Sequence, residues 1–150
     1  MKRLGIDIGS TTLKTVLLGE NSEILFEKYQ RHLSKIPETA VSVLGEIAKK
    51  YGDEEMTVCL SGSSGMGVAE TLNLPFSQEV YAEKTAVAKY CPETDVVVEL
   101  GGEDAKIIFL TGGFEMRMNG TCAGGTGAFI DQMATLMKLT PDDLNELCKS

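Results

Sequence analysis

Tryptophan is absent from the 150-residue sequence, histidine occurs once, and aromatic residues make up only 6% of it. Basic residues are also in deficit, 14 Lys and Arg against 22 Asp and Glu, for a net charge of -8 and an isoelectric point near 4.7. A nucleic-acid backbone needs a basic face, so that partner class is excluded, and the acidic balance reads as a solvated surface. No run approaches the ~20 apolar residues of a membrane span, and the N-terminus enters a strand pattern with no signal-peptide core. The expected location is the cytoplasm. Four cysteines (Cys59, Cys91, Cys122, Cys148) are too sparsely spaced for a secreted disulfide scaffold, which leaves them as thiols or metal ligands. What is present in quantity is core material: 43% hydrophobic residues suffice for one domain or one and a half small ones.

Short alternating apolar runs at 3–8, 13–18 and 23–29 are separated by turn-forming Gly9-Ser10-Thr11 and Gly19-Glu20-Asn21, which predicts a β-meander. Pro37 opens a helix with Val41, Leu44, Ile47, Ala48 and Tyr51 at helical spacing, and Gly52-Asp53 ends it. Residues 57–61 form a buried strand, Gly62-Ser63-Ser64-Gly65-Met66-Gly67 reads as an ordinary loop running into a short helix at 66–72, and 78–90 is a helix striped by Val80, Lys84, Val87 and Cys91. His32, beside Arg31 at a strand end, is expected to be exposed and without chemistry. The meander then restarts with Val96-Val97-Val98, Ala105–Leu110 and Phe114–Met118. A helix at about 126–138 turns Phe129, Ile130, Met133, Ala134 and Met137 inward, its methionines acting as core filler. In the last helix, 141–148, Thr140 caps, Pro141 takes the first position and Asp143 completes a capping box.

An internal repeat organises these elements. Laying Leu4–Leu18 over Val96–Leu110 without gaps pairs Asp7 with Glu99, Gly9 with Gly101, Lys14 with Lys106 and Val16-Leu17-Leu18 with Ile108-Phe109-Leu110, at a constant offset of 99 − 7 = 92. Two copies of an acidic residue, a glycine turn and a returning strand with lysine point to duplication and to two facing lobes, 1–93 and 94–150. The second copy has 150 − 94 = 56 residues against a period of 92, so it is expected to be incomplete and the fragment alone inactive.

Each turn suits a phosphate chain. Gly9, Ser10, Thr11 and Thr12 offer close backbone approach, N–H groups and hydroxyls; Lys14 adds a point charge, and Asp7 can hold Mg²⁺ through water. Glu99, Gly101, Gly102, Glu103 and Asp104 again set backbone donors beside carboxylates, so a facing pair of turns can clamp Mg-ATP and place an attacking water. The loop Asn119-Gly120-Thr121-Cys122-Ala123-Gly124-Gly125-Thr126-Gly127-Ala128-Phe129 feeds a helix whose N-terminal N–H groups suit an anion, and Cys122 there is expected to have a depressed thiol pKa. One cysteine cannot hold an iron–sulfur cluster, so either its partners come from another subunit or Cys122 is structural.

Leu4–Thr12, Glu99–Lys106 and Met118–Gly127 together resemble the BadF/BadG/BcrA/BcrD ATPase family, within it the activators of 2-hydroxyacyl-CoA dehydratases (CoA-substrate-specific enzyme activases). The resemblance runs over nearly the whole chain, and its cysteine–glycine motif is the most specific part. It implies an α/β, duplicated actin/hexokinase/acetate-kinase-like (ribonuclease H-like) fold with a truncated second lobe. It further implies an ATPase whose homodimer bridges a [4Fe–4S] cluster and drives a low-potential electron into an acyl-CoA dehydratase or reductase, with reduced ferredoxin or flavodoxin as donor.

Carried over residue by residue, Glu99, Glu103 and Asp104 would be catalytic, and Gly9, Ser10, Thr11, Thr12, Lys14, Gly101, Gly102, Gly124, Gly125 and Thr126 would bind ATP or ADP. Asp7 would hold Mg²⁺ and Cys122 the cluster, with the second cluster cysteine after residue 150 rather than at Cys148. Two departures qualify the match: Glu99 stands where many short activators carry Asp, and Glu103 where they carry Gln. Both look more like long, fused relatives, which places the partner on the same polypeptide; the adenosine-binding glycine motif is absent. The alternatives are a sugar or carboxylate kinase of the same superfold, against which Cys122 in its glycine-rich loop argues, and a non-catalytic nucleotide-sensing module.

Overall fold

The computed structural model describes residues 1–52, 54–120 and 124–149, so Asp53 and the Thr121-Cys122-Ala123 part of the cysteine motif lie outside the described residues. The chain divides into two units, Met1–Ala86 and Val87–Ser150.

In the first unit, β1 (Lys2–Ile8), β2 (Thr12–Leu18) and β3 (Ile24–Arg31) form the expected meander. The chain then crosses through α1 (Ile36–Tyr51) to β4 (Met56–Ser61), which joins β1 in parallel and gives the sheet order β3-β2-β1-β4. After α2 (Gly65–Leu72), a parallel bridge between Leu60 and Phe76 continues the sheet past β4. Leu4, Ile8, Leu13 and Leu17 share one sheet face, because β1 and β2 pair Leu4 with Leu17 and Ile8 with Leu13. With Leu60, with Val43 and Ile47 of α1, and with Ala69 of α2, they form the core.

The apolar stripe of α1 differs from the expected one. The helix buries Val43 and Ile47, flanked by half-buried Ile36, Ala40 and Tyr51, whereas Val41 is 70% and Leu44 41% exposed and Ala48 is also exposed. The helix is apolar on more than one side, so 3.6-residue periodicity admits two stripes, and the sheet selects one. Gly52, at φ 63°, closes the helix by donating its N–H to Ala48 O. The helix α3 (Glu79–Tyr90) spans the boundary between the units and has no fully buried residue, so its expected stripe, Val80, Lys84, Val87 and Cys91, marks no core face.

In the second unit, β5 (Val96–Leu100), β6 (Ala105–Phe109) and β7 (Glu115–Met118) form a second meander, followed by α4 (Gly127–Leu136) and α5 (Pro141–Leu147). The Thr140–Asp143 capping box at α5 is present with Pro141 in the first turn. The repeat holds in register: Asp7 faces Lys14 across β1–β2 as Glu99 faces Lys106 across β5–β6.

Burial is nevertheless inverted between the copies. The face that is core in the first unit recurs in the second as Val96, Val98, Leu100 and Ile107, which are 40–62% exposed, with Ala105 and Phe109, which are half-buried. The opposite face buries Ile108 completely and Lys106 to 4% exposure. On α4, Ala134 is buried, but Phe129, Ile130 and Met137 are exposed rather than inward-facing as expected, because spacing identifies residues that share a side without identifying what covers it.

Candidate functional site

The two acidic hairpins are one local structure built twice. In the first, Gly9 N–H donates to Thr12 O at 2.9 Å and leaves Ser10-Thr11 as the two-residue tip; in the second, Gly101 N–H donates to Asp104 O at 2.8 Å and leaves Gly102-Glu103. Below each tip the acid meets the lysine directly across the ladder. Lys14 Nζ lies 2.7 Å from Asp7 Oδ2, and Lys106 Nζ lies 2.9 Å from Glu99 Oε2 with Asp104 Oδ2 at 3.4 Å. Burial acts against the Lys14 ammonium, but the hydrogen bond and charge of Asp7, with Tyr29 and Glu79, outweigh it and hold the pKa above the ordinary lysine value.

The other Asp7 oxygen, Oδ1, is buried and has no hydrogen-bond partner. A carboxylate oxygen in that state is costly, and this one faces the protein: Oδ2 is held by Lys14, and Oδ1 is covered by the chain that leaves β4, so a hydrated Mg²⁺ can reach Asp7 only if the carboxylate turns toward the hairpin tip. Over Asp7 lies the exit from β4. Gly62, at φ 90°, sits so close that a β carbon there would fall 2.2 Å from Asp7 Oδ1 and 2.4 Å from Ile8 O, and Ser64 N–H donates to Ile8 O at 2.9 Å. The loop read as ordinary therefore packs on the acid, and Gly62 is a glycine for an internal steric reason. Gly9 is the opposite case: a β carbon there would meet only Thr12, its O at 3.5 Å, an ordinary contact.

Each turn is held from outside by the same carbonyl. Gly101 O accepts the Gly127 N–H at 2.8 Å and Gly102 O accepts that of Ala128 at 3.0 Å, so the start of α4 is bonded to the second turn. Those leading N–H groups, which sequence reasoning reserved for an anion, already hold carbonyls. In the first unit the equivalent carbonyl, Gly9 O, lies 3.1 Å from His32 Nε2, and Thr11 O accepts the His32 N–H at 3.2 Å. His32 is thus not the exposed residue expected: it is 4% exposed, because the turn after β3 folds its ring under the Gly9 hairpin. Its position at a strand end gave no signal of this; only the aligned need of the Gly9 and Gly101 carbonyls reveals it.

Among the remaining expected residues, Ser10 is exposed at the tip, Thr11 is half-buried and Thr12 is buried beneath it. Glu103 is exposed, Asp104 half-buried, and Gly124 and Gly125 are exposed ahead of Thr126, which is fully buried as the residue capping α4. Asn119 clamps the second hairpin by accepting the Ala105 N–H on its side chain at 2.9 Å. Cys59, Cys91 and Cys148 are free thiols, and no group of three His, Cys, Asp or Glu among the described residues could hold a metal. No helix among the described residues is long and apolar enough to cross a membrane.

The chain is similar over nearly its whole length to known proteins. The chain is 30% identical over 147 residues to the (R)-2-hydroxyglutaryl-CoA dehydratase activating ATPase of Acidaminococcus fermentans, covering 96% of this chain and 56% of that protein. It is 30% identical over 156 residues to the activator of lactoyl-CoA dehydratase of Anaerotignum propionicum, covering 98% and 58%. The chain thus spans a little over half the length of these relatives. The crystal structure of the A. fermentans (R)-2-hydroxyglutaryl-CoA dehydratase component A superposes with a TM-score of 0.84 at 27% identity, over all of this chain and 60% of that one. The Clostridium difficile 2-hydroxyisocaproyl-CoA dehydratase activator with bound ADPNP gives 0.77 at 27% identity, over 96% and 55%. The architecture is accordingly the α/β fold of the actin- and hexokinase-like ATPases. A model of the BadF/BadG/BcrA/BcrD ATPase family matches residues 4–149, and the chain belongs to that family.

Proposed function

We propose that this chain is the nucleotide-binding part of an ATP-dependent activator of an acyl-CoA dehydratase or reductase. The observation that carries the reading is the duplicated hairpin: two glycine turns with matching hydrogen-bond closure, each above an acid–lysine pair. Backbone donors and fixed charges of this kind are what phosphoryl transfer asks of a protein, because its catalysis is mostly placement and charge stabilisation. The relatives named as dehydratase activators, one of them solved with ADPNP, support the nucleotide and the partner class.

In this reading Ser10 and Gly102 present main-chain N–H groups to phosphate oxygens. Asp7 would hold Mg²⁺ through water, and Glu99, Glu103 and Asp104 would orient the attacking water. The ion, when bound, would neutralise charge developing on the phosphates. A [4Fe–4S] cluster would supply the low-potential electron; the described residues provide no complete ligand set, so the cluster rests on Cys122 from each subunit of a homodimer together with a further cysteine. Ferredoxin or flavodoxin would be the donor.

The test is Asp7→Ala in the full-length protein. Mg²⁺-dependent ATP hydrolysis should fall by roughly a hundredfold, the scale of removing one fixed electrostatic contact from a reacting centre. Unchanged turnover would remove the assignment, and phosphorylation of a sugar or carboxylate would transfer the protein to the kinases of the same fold.

A further inference from the structure

We infer that His32 is a positioning residue that aims the Ser10 N–H at the phosphate site by gripping the Gly9 carbonyl. The inference rests on the reading of the first turn as phosphate-binding. In a trans peptide the C=O of one residue and the N–H of the next point in opposite directions. Fixing Gly9 O against His32 Nε2 therefore turns the Ser10 N–H away from the protein, at the exposed tip of the hairpin. The second unit orients the Gly102 N–H by the same device, with Gly127 N–H on Gly101 O. One atom of the turn is held in both copies by different donors, which marks the grip as a property of the turn and not an accident of packing around the ring.

The ring itself is prepared for this contact. Ser34 N–H donates to His32 Nδ1 at 3.1 Å, so Nδ1 is the acceptor and the ring proton belongs on Nε2, the nitrogen that faces Gly9 O. Leu33 and Ser34 are both left-handed, at φ 48° and 62°, a conformation that side-chain-bearing residues seldom adopt, and Leu33 is 78% exposed. This strained pair of residues is what brings Ser34 N–H onto the imidazole. Without the grip the Gly9–Ser10 peptide is free to rotate, and it would then offer a carbonyl oxygen in place of an N–H to an approaching phosphate.

Two substitutions separate the ring's contacts: His32→Asn keeps an acceptor near the Nδ1 position but loses the distal donor, and His32→Gln places a donor near Nε2. Nitrogen-detected NMR of the wild-type chain should show the Nε2–H form, and the Nδ1–H form would overturn the inference. Amide exchange at Gly9 should accelerate about tenfold in His32→Asn and stay within about threefold of wild type in His32→Gln, while Gly101 is unaffected. Millimolar Mg-ATP should shift the Ser10 amide signal, with roughly tenfold weaker apparent affinity in His32→Asn and recovery in His32→Gln. Equal behaviour of the two variants, or exchange rising uniformly through β1–β4 in step with a fall in Tm, would show a merely structural histidine. If Mg-ATP moves no turn amide in wild type while the tautomer and exchange results hold, the nucleotide reading fails and the grip between His32 and Gly9 stands.

Discussion

Replacing Gly62 by alanine should be among the most destabilising single-methyl additions available to this chain. The position is at φ 90°, which costs an L-residue about 1–2 kcal/mol. The added carbon would also fall 2.2 Å from Asp7 Oδ1, 2.4 Å from Ile8 O and 2.6 Å from the Ile8 carbonyl carbon. Asp7 can swing its carboxylate aside, but Ile8 belongs to the central strand pair and its carbonyl is held by Ser64 N–H at 2.9 Å. Relief requires the loop after β4 to lift away, which breaks that hydrogen bond at a cost of about 1 kcal/mol and loosens the contacts of Gly65 and Ala69 with the core. With roughly 1–2 kcal/mol for the loosened packing, the sum is about 3–5 kcal/mol, in the range that marks a named steric cause. Urea unfolding followed by circular dichroism measures it, with Gly45→Ala as the internal control. Gly45 lies within α1, and a β carbon added there would meet nothing inside 4 Å, so alanine should stabilise by about 0.5–1 kcal/mol. A Gly62→Ala protein within about 1 kcal/mol of wild type would refute the packing of this loop on Asp7 and Ile8.

Cys122→Ser in the full-length, anaerobically prepared protein should remove iron and partner activation while leaving ATP binding in place, and the 150-residue chain should be colourless with little ATPase activity; iron retained by the serine variant would move the ligand elsewhere. Because the folded-state pKa of Lys14 is raised, its contribution is complete below the unfolded lysine value near 10.5 and is lost as pH rises through the higher folded value, so the stability gap between wild type and Lys14→Met should narrow above pH 10.5. Asp143 has the opposite sign: the Thr140 side-chain and backbone hydrogen bonds lower its pKa below 3.8, so its contribution is present at neutral pH and is lost as pH falls through that lowered value. Thr140→Ala should therefore be more destabilising at pH 7 than in acid, where only the cap on Asp143 N–H remains to be lost, read by denaturation across that pH range.

Much of the fold was legible because its signals are local. Strand alternation, glycine turns and the Thr140-Pro141-Asp143 cap each depend on a few adjacent residues, and the offset of 92 exposed the duplication from residue identities alone. The pairing of Asp7 with Lys14 and of Glu99 with Lys106 was not read from the sequence and emerges only from the hairpin register. Burial was not legible in the same way. The stripe on α1 was only half placed: Ile47 and Tyr51 pack inward as expected, but Val41 and Leu44 are as apolar as Val43, and only the sheet distinguishes them. Phe129 and Met137 were turned inward on spacing alone. His32 was missed because its partners are a carbonyl 23 residues away and the main chain of its own turn, neither of which leaves a pattern in side-chain identities.

The two ways of holding one carbonyl also set how each turn can vary by inheritance. At Gly101 the donor is a main-chain N–H, which every residue but proline would keep at position 127, yet a β carbon there would fall 3.1 Å from Gly101 O and 3.5 Å from Gly102 Cα, so the second turn constrains that position by space. At Gly9 the donor is an imidazole, and a single codon change removes it. Drift should therefore be resisted at position 127 by the crowding any side chain would bring to the turn, and at position 32 only by the loss of one hydrogen bond, so that the two halves of a duplicated site answer to different constraints.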